Sequence, residues 1–364
     1  MISTSPRRLL YRFHIDPALL SGCLLLCAIG FVTISSAVEL DPNMLLRQGI
    51  RLLIGLCVMI VLAQIPPSQL AQWAPWLYGV GLMLLVGVTV AGTGEGAQRW
   101  LKLGPLQFQP SEFMKLFVPM VLAWYLQDKP LPPKLRYLFV AALLIAVPVF
   151  LVVKQPDLGT ALLIAAAGGA VLFLAGLSLK LLILVALGLA GAAPLLWPLL
   201  HDYQRQRLIT LLDPEQDPLG KGYHIIQSKI AVGSGGLYGK GWLHGTQSHL
   251  EFLPEHSTDF IFAVFCEEFG FIGVLVLFGI YMFVIFRGLK IALQAQGIFA
   301  RLLGGSLILT FFVYIFVNTG MVVGQLPVVG VPLPFISYGG TSLVTLMANF
   351  GILMAIHTHK KSAY

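Results

Sequence analysis

Charged residues are scarce in this chain. Aspartate, glutamate, lysine and arginine together make up 11% of its 364 residues, whereas a soluble domain averages about 25%. Hydrophobic residues make up 57%, so the composition excludes a soluble globular protein and indicates an integral membrane protein. Cysteine is also scarce, and all four cysteines lie in apolar segments, which leaves no disulfide framework in the polar loops.

Acidic residues are fewer than basic ones, and the formal net charge is +7. The basic residues are scattered singly near the ends of apolar segments, which favours contact with anionic or phosphorylated lipids over binding to nucleic acid. The sequence has no internal repeat, low-complexity stretch or linker that would mark a second domain. We therefore predict one polytopic membrane domain over residues 1–364.

Long apolar runs are what the chain has in abundance. A membrane-spanning helix needs roughly 20 predominantly apolar residues, and by that measure the sequence predicts an all-α membrane protein with ten transmembrane helices. The predicted segments are 18–38, 48–66, 74–91, 112–127, 137–154, 158–176, 178–200, 260–286, 302–326 and 341–357. Segment 260–286 contains Glu267, Glu268 and Gly270, so it is either one helix or a short helix followed by a spanning one.

The longest polar stretch, residues 201–259, separates the seventh and eighth segments. Ten spans place both basic termini on one side of the membrane. The positive-inside rule weakly favours the cytoplasm for that side, with 12 of the 23 lysines and arginines there. Residues 201–259 then form one large extracytoplasmic loop, and the stretches 92–111, 155–158 and 327–340 share its face.

Asp259 is the outer-face residue that most strongly indicates chemistry. Thr258 and Asp259 are followed at once by six apolar residues, 260–265. A carboxylate at the mouth of an apolar segment is costly unless it is hydrated, paired or used. We therefore predict Asp259 as a catalytic residue, with Thr258 beside it in substrate binding.

Further charged residues fall on the same face. Arg99 precedes a tryptophan, Glu112 and Lys115 stand three residues apart on the first turn of segment four, and Asp157 precedes segment six. Each has a structural alternative: an interfacial anchor, a local ion pair or a helix cap. The large loop adds the basic residues Arg205, Arg207 and Lys229.

The stretch 327–340 is too apolar for an exposed loop and too rich in proline for a helix. Irregular backbone at membrane depth is tolerated only inside protein or along a cavity. We therefore expect this stretch to line the same cavity as the other outer-face motifs.

The balance of charge on the outer face favours one kind of glycosyl chemistry. A glycosidase acting on a neutral leaving group needs two carboxylates, an acid and a base. A transfer whose leaving group is a lipid pyrophosphate needs one base for the incoming hydroxyl and cations for the departing phosphates. One aspartate at a segment mouth among arginines and lysines suits the second reaction.

Seven sequence runs carry a resemblance to a known family. They are GAQRW (96–100), QPSE (109–112) with Lys115, QPDLGT (155–160), YQRQR (203–207), DPLGKGYHIIQSKIAVGSGGLYGKGW (217–242), HGTQSHLEFLPEHSTDFIFAV (244–264) and VGVPLPFISYGGTS (329–342). Together they resemble the SEDS family (shape, elongation, division and sporulation) over essentially the whole chain. The similarity is to the members that act in rod shape rather than in division.

The resemblance implies a multi-pass peptidoglycan glycosyltransferase of the bacterial inner membrane. Such an enzyme polymerises lipid II, the undecaprenyl-pyrophosphate-linked disaccharide-pentapeptide, into glycan strands during cell-wall elongation. The implied partners are a class B penicillin-binding protein, which crosslinks the strands, and other membrane proteins of the elongation complex. The family's essential acid falls on Asp259, and its other sensitive positions fall on Arg99, Glu112, Lys115 and Asp157.

These roles combine into one expected mechanism. Asp259 accepts the proton of the GlcNAc 4-hydroxyl of incoming lipid II, and that hydroxyl attacks the anomeric carbon of the growing strand with inversion. Arg99, Lys115 and either Arg205 or Arg207 stabilise the departing undecaprenyl pyrophosphate. A divalent cation at the pyrophosphate is left open, because no ligand set in the sequence marks one.

Two other function classes are compatible with parts of the sequence. Ten spans, intramembrane acids and a cavity-lining loop also fit a flippase for the lipid-linked precursor. A carrier, however, places its polar residues near the midplane, on broken helices from paired repeats, whereas here they collect at one interface. A non-catalytic scaffold leaves Asp259 unexplained. For partner docking, the glycines of segment nine, such as Gly320 and Gly324, offer one candidate face, with packing inside the bundle as the alternative.

Overall fold

Helices form almost all of the structure. The computed structural model describes residues 13–93, 99–103, 106–191, 205, 221–246 and 257–359. Its longer helices are α1 (Pro17–Ala37), α2 (Pro42–Ala63), α3 (Pro67–Ala91), α4 (Pro110–Leu126), α5 (Leu135–Lys154), α6 (Leu158–Leu174), α7 (Leu179–Gly191), α8 (Lys221–Ser234), α9 (Ile261–Leu293), α10 (Ile298–Val322) and α11 (Thr341–Thr358). A helix satisfies its backbone hydrogen bonds internally, which is what apolar segments in a bilayer require.

Among the described residues, seven helices are long and apolar enough to cross a membrane: α1, α2, α3, α5, α9, α10 and α11. The predicted segments 112–127 and 158–176 correspond to α4 and α6, with 17 residues each. Segment 178–200 begins with α7, and its remainder lies outside the described residues. Each predicted segment therefore contains helix, while the structure describes only parts of the 201–259 loop.

Several helix ends differ from the predicted ones for local reasons. Helices α2 and α3 begin at Pro42 and Pro67, ahead of the apolar runs at 48 and 74, because proline is favoured at the first helical position. Helix α10 ends at Val322 and not at 326. Gly324 follows with a left-handed φ of 73°, a usual way for a helix to terminate.

The eighth predicted segment consists of two helical parts, which decides the alternative left open by the sequence. Gly270, with φ 62° and ψ −166°, separates 261–269 from 271–293 within α9. The loop after α8 fills the break: the amide of Phe271 donates to the Gly236 carbonyl (2.9 Å), and the amide of Lys240 donates to the Glu267 carbonyl (3.0 Å). A Cβ at position 270 would clash with the backbone nitrogen of Gly239, so only glycine fits there.

The helices pack around a core that contains α10 and α11. Helix α11 packs against α2, α10 lies between α9 and α6, and α4 packs against both α3 and α6. The amphipathic α8 is fixed to this core, because the Ser228 hydroxyl donates to the Val322 carbonyl (2.8 Å). The middle of α11, residues 345–356, is buried in this core, whereas its two ends are half-buried.

A small hairpin, which the sequence analysis did not predict, precedes α4. Strand β1 (Leu101–Leu103) pairs antiparallel with β2 (Leu106–Phe108). In each strand one polar residue stands between two apolar ones, which is the strand period of two, but the run is too short to register in a search for membrane spans. The hairpin leads directly into Gln109 and the start of α4.

Candidate functional site

A cavity of 360 Å³ lies at the end of the bundle where α4, α6 and α11 begin. Five of the predicted site residues line it: Arg99, Glu112, Asp157, Thr258 and Asp259. The irregular stretch 327–340 contributes a further wall through Gly330, Pro332 and Tyr338. The prediction that this stretch lines the same cavity as the outer-face motifs is therefore confirmed.

Asp259 is held against the irregular loop by its backbone. The side-chain amide of Asn318 donates both to the Asp259 carbonyl (2.9 Å) and to the Val331 carbonyl (2.7 Å). A Cβ at Gly330 would lie 3.4 Å from the Asp259 Oδ2 atom, so the loop closely approaches the carboxylate. Asp259 is half-buried at the cavity wall. Its position is therefore fixed while the cavity still reaches its side chain.

Glu112 and Lys115 form the ion pair that their spacing suggested as a structural alternative. Lys115 Nζ lies 2.6 Å from Glu112 Oε1, and both residues are buried on the first turns of α4. The Lys115 ammonium also lies 4.8 Å from the centre of the Tyr314 ring. The second oxygen of Glu112 is buried and accepts no hydrogen bond from the described residues. Glu112 therefore lines the cavity, and Lys115 stands behind it.

Asp157 is buried and has several partners. Its side chain caps α6 by accepting from the Thr160 amide (3.3 Å), accepts from Gln109 Nε2 (2.8 Å) and lies 3.7 Å from Arg99 Nη1. The helix cap named as its structural alternative is thus confirmed. Arg99 also donates to the carbonyls of Gln155 and Pro156. These contacts give Asp157 and Arg99 a shared task in holding the turn before α6.

Two of the predicted basic residues, Arg205 and Lys229, do not line the cavity as far as the structure describes it. Lys229 is exposed on α8 and lies against Gly324, where an added Cβ would clash with Lys229 Cε. Arg205 is half-buried and does not line the cavity. Arg207 lies outside the described residues.

Sequence reasoning missed Arg51, which lines the cavity from α2. Its guanidinium carbon lies 4.6 Å from the centre of the Tyr338 ring, in a cation–π contact. The signal was present, because Arg51 lies inside the apolar segment 48–66, and ionisable residues within spans usually have a function. Asn318 was also missed, although it is a polar residue inside the apolar segment 302–326.

A second charged cluster lies at the other end of the bundle. Asp16 is fully buried, and both of its carboxylate oxygens accept hydrogen bonds from Arg287 on α9. His357, near the end of α11, lies 3.3 Å from Asp16 Oδ2. Next to this cluster, the rings of His14 and His359 stack at 3.9 Å. The cluster joins the chain before α1 to the ends of α9 and α11.

The pKa of Asp16 reflects two opposing effects. Burial raises it, but hydrogen bonds from Arg287 and from the Leu19 amide, with the charges of Arg287 and His357, outweigh burial and hold the pKa below its ordinary value. The pKa of His14 is lowered by burial and by the neighbouring His359. Within the described residues, no group of three histidine, cysteine or acidic side chains is arranged to hold a metal ion.

Comparison with known proteins assigns the family. Residues 14–362 match the family model for the cell cycle proteins FtsW, RodA and SpoVE. The chain belongs to this family. The family prediction made from the sequence motifs is therefore confirmed.

Individual relatives match over nearly the whole chain. The peptidoglycan glycosyltransferase MrdB of Escherichia coli K12 is 54% identical over 352 residues, covering 96% of this chain and 95% of the relative. A solved structure on the coordination of polymerization and crosslinking by a peptidoglycan synthase complex matches with a TM-score of 0.82 and 37% identity, covering 94% of this chain and 97% of that one. The Thermus thermophilus rod shape determining protein RodA matches with a TM-score of 0.73 and 31% identity, covering 95% and 98%.

Proposed function

We propose that this chain polymerises lipid II into glycan strands at the outer face of the bacterial inner membrane, with Asp259 as the general base. The enzyme class, peptidoglycan glycosyltransferase, rests on the 54% identity to MrdB over nearly the full length, which confirms that part of the prediction. One contrast carries the assignment of the base. Glu112 is buried and paired with Lys115. Asp157 is also buried and contacts Gln109 and Arg99. Asp259, by contrast, is half-buried at the cavity wall.

The proposed reaction is an inverting glycosyl transfer. Asp259 removes the proton from the GlcNAc 4-hydroxyl of incoming lipid II as the oxygen attacks the anomeric carbon of the lipid-linked strand. The bond from that carbon to the pyrophosphate oxygen breaks, and its electron pair leaves with undecaprenyl pyrophosphate. A carboxylate whose backbone is held at the cavity wall suits this step, because geometry within hydrogen-bond reach is the first requirement of a general base.

Replacing Asp259 with asparagine tests the proposal. Asp259→Asn keeps the shape of the side chain but removes the base, so we expect the rate of strand formation from purified lipid II to fall by about 10²–10⁴-fold. Asp41→Asn is a matched control, since Asp41 caps α2 by accepting from the Asn43 amide (2.9 Å), away from the cavity lining, and asparagine caps equally well.

The control must polymerise at the wild-type rate, and both variants must keep the wild-type melting temperature. Strand formation by Asp259→Asn at the wild-type rate would show that the base is elsewhere. Movement of labelled lipid II across a vesicle membrane without strand formation would instead favour the flippase.

The intramembrane acids give little support to the flippase. Glu267 is buried, pairs with Lys240 (2.6 Å) and accepts from the Thr246 amide (2.9 Å). Glu268 accepts from the Ser36 hydroxyl. Both lie at the break in α9, which the loop after α8 fills, and neither lines the cavity. Their contacts suit a structural role at one end of the bundle.

We propose that the chain spans the membrane ten times, with both termini in the cytoplasm and residues 201–259 outside. The test uses a cysteine-free variant in intact spheroplasts and a membrane-impermeant thiol reagent. Asn43→Cys, in the exposed first turn of α2, should label, and Asp128→Cys, exposed between α4 and α5, should not. The reverse pattern would place the cavity on the cytoplasmic side and overturn the mechanism.

The proposed partners are a crosslinking class B penicillin-binding protein and further membrane proteins of the elongation complex. An apolar groove of 430 Å³ between α8, α9 and α10 is lined by Phe316 and Gly320 and is one candidate docking face. Gly304 and Gly305 instead face Ile356 and Leu174 inside the bundle.

A paired substitution tests this groove. Phe316→Gln should reduce co-purification of the transpeptidase, whereas Phe312→Gln should not, because Phe312 is also exposed but does not line the groove. Equal co-purification of both variants would place the docking face elsewhere.

A further inference from the structure

The cations of the cavity differ in how far they are already neutralised. Lys115 is paired with Glu112 at 2.6 Å. Arg99 faces Asp157 at 3.7 Å and donates to two backbone carbonyls. Arg51 lines the same cavity and makes no hydrogen bond or ion pair with the described part of the chain; its contact is with the Tyr338 ring. Positive charge without a carboxylate counterpart is therefore concentrated at Arg51.

The position of Arg51 in the sequence makes this arrangement unusual. It is the fourth residue of the apolar segment 48–66 and lies about 5 Å along the helix from the start of that segment, at 1.5 Å per residue. A guanidinium inside an apolar segment is costly unless water, a counter-charge or a ligand compensates it. Tyr338 supplies only part of this compensation, since a cation–π contact contributes about 0.5–2 kcal/mol.

The surroundings of Arg51 also suit a negative group. Gly340, Thr341 and Ser342, at the beginning of α11, line the same cavity, and no side chain caps this helix. The first amide groups of a helix carry partial positive charge and favour phosphate. A Cβ at Gly340 would lie 3.6 Å from Arg51 Nε, so the guanidinium lies directly beside the start of the helix.

We infer that Arg51 binds the pyrophosphate of the lipid-linked substrate, and that Arg99 and Lys115 act as positioning residues that hold the turn before α6 and Glu112. The inference rests on the proposed function. It assigns to Arg51 the contact with the pyrophosphate that the sequence analysis expected of Arg99 and Lys115. A guanidinium matches a phosphate with two parallel hydrogen bonds, which an ammonium does not reproduce. Because Arg51 shares the cavity with Asp259, the bound pyrophosphate lies in the compartment that holds the base.

The experiment measures binding of undecaprenyl pyrophosphate by native mass spectrometry, with the full chain carrying Asp259→Asn to prevent turnover. Arg51→Gln should weaken this binding by about ten- to a hundredfold, the worth of hydrogen bonds to a charged group. The affinity of Arg51→Lys should lie between those of the parent chain and Arg51→Gln. Arg47→Gln, one turn earlier and exposed, is the matched control and should bind as the parent does.

Two further probes identify the bound group. Arg51→Gln should weaken the binding of undecaprenyl monophosphate less than it weakens the binding of undecaprenyl pyrophosphate. Phosphatidylglycerol should not compete, whereas competition by it would assign Arg51 to an ordinary lipid headgroup and overturn the inference. Unchanged pyrophosphate binding by Arg51→Gln would also overturn it. If Arg51→Gln does not fold, Arg51→Lys takes its place in the test. Binding of undecaprenyl pyrophosphate by Arg51→Lys as tightly as by the parent would then rule out bidentate binding by Arg51.

The source of the pyrophosphate is resolved by kinetics in the chain with Asp259 intact. With Arg51→Lys, a raised KM for the lipid-linked strand assigns Arg51 to the donor, and a raised KM for lipid II assigns it to the acceptor. An unchanged KM for both overturns the inference. If the parent chain itself binds no undecaprenyl pyrophosphate in any of these measurements, the proposed function fails. Equal binding by the parent and by Arg51→Gln is a different result, which overturns only the inference about Arg51.

Discussion

The two charged clusters of this protein lie at opposite ends of α11, whose 18 residues span about 27 Å. At the end that we propose to be cytoplasmic, the inner end, Asp16 is fully buried, both of its carboxylate oxygens accept hydrogen bonds from Arg287, and His357 is adjacent. At the opposite end, which we propose to be the outer one, acidic residues line a cavity of 360 Å³. There the Arg99–Asp157 separation is 3.7 Å, and one Glu112 oxygen accepts no hydrogen bond from the described residues.

The difference indicates what each cluster is for. Buried charged groups are expensive in both places unless they are paired or hydrogen-bonded. The inner cluster compensates that cost within the protein and so joins three helices. The outer cluster leaves hydrogen-bonding capacity at a cavity wall, where a substrate can use it. Opposite effects of mutation on stability and on activity are therefore expected at the two ends.

The largest expected effect on stability is at the inner cluster. Arg287→Met leaves the buried Asp16 carboxylate without its main partner, and breaking such a pair costs about 3–5 kcal/mol of the free energy of unfolding. We expect a much lower melting temperature but normal strand formation per folded molecule. Lys290→Met, one turn further and exposed, is the control. An unchanged melting temperature of Arg287→Met would show that the cluster does not stabilise the fold.

The buried pair on α4 is a test in which both properties should change. Lys115→Met deprives Glu112 of its ion pair. Because Glu112 lines the cavity, where water can hydrate its carboxylate, we expect a smaller cost than at the enclosed Asp16, about 1–3 kcal/mol. Adding Glu112→Gln should recover stability, because the buried charge is gone, without recovering turnover. Chemical denaturation and strand formation are measured on the same preparations. Recovery of both together would mean that the pair serves only to stabilise the bundle.

A smaller effect on stability is expected at Arg99. Its side chain is 27% exposed and its ion pair is loose, so Arg99→Ala should cost at most about 1 kcal/mol. Turnover of lipid II should fall more than this, because the turn that carries Asp157 loses its anchor. A lowered melting point with unchanged specific activity would favour a purely structural Arg99.

The smallest effect concerns pH. The pKa of Asp16 is lowered in the folded protein, so its ionised form adds stability that is complete above the unfolded pKa of about 3.9. That stability is lost as the pH falls through the lower folded pKa. Melting temperatures of the wild type should therefore drop in acid more than those of Asp16→Asn. Parallel curves for the two proteins would contradict the pairing.

The sequence predicted the helices well, because runs of about 20 apolar residues have few alternatives in a membrane. It also predicted that Arg99, Glu112, Asp157 and Asp259 would meet, because the motifs that carry them fall on one face. It missed Arg51, which was treated as one more charge near a helix end. The hairpin before α4 was missed because its strands have only three residues each.

The inner cluster was beyond reach for a different reason. Asp16 and Arg287 are 271 residues apart, and each resembles an ordinary residue at the end of an apolar segment. Only the packing of α1, α9 and α11 brings them together. Lys229 shows the reverse error. A basic residue in the predicted outer loop need not reach the cavity, and Lys229 lies against Gly324 instead.

The most direct test compares one substitution at each end in the same experiment. Asp259→Asn and Asp16→Asn each remove one carboxylate charge with little change in shape, and asparagine retains the capping ability at position 16. For each variant, strand formation from lipid II per folded molecule and melting temperature are measured together. We expect an inactive but stable Asp259→Asn and an active but destabilised Asp16→Asn. Normal strand formation by Asp259→Asn, or its loss only in proportion to unfolding, would contradict this expectation.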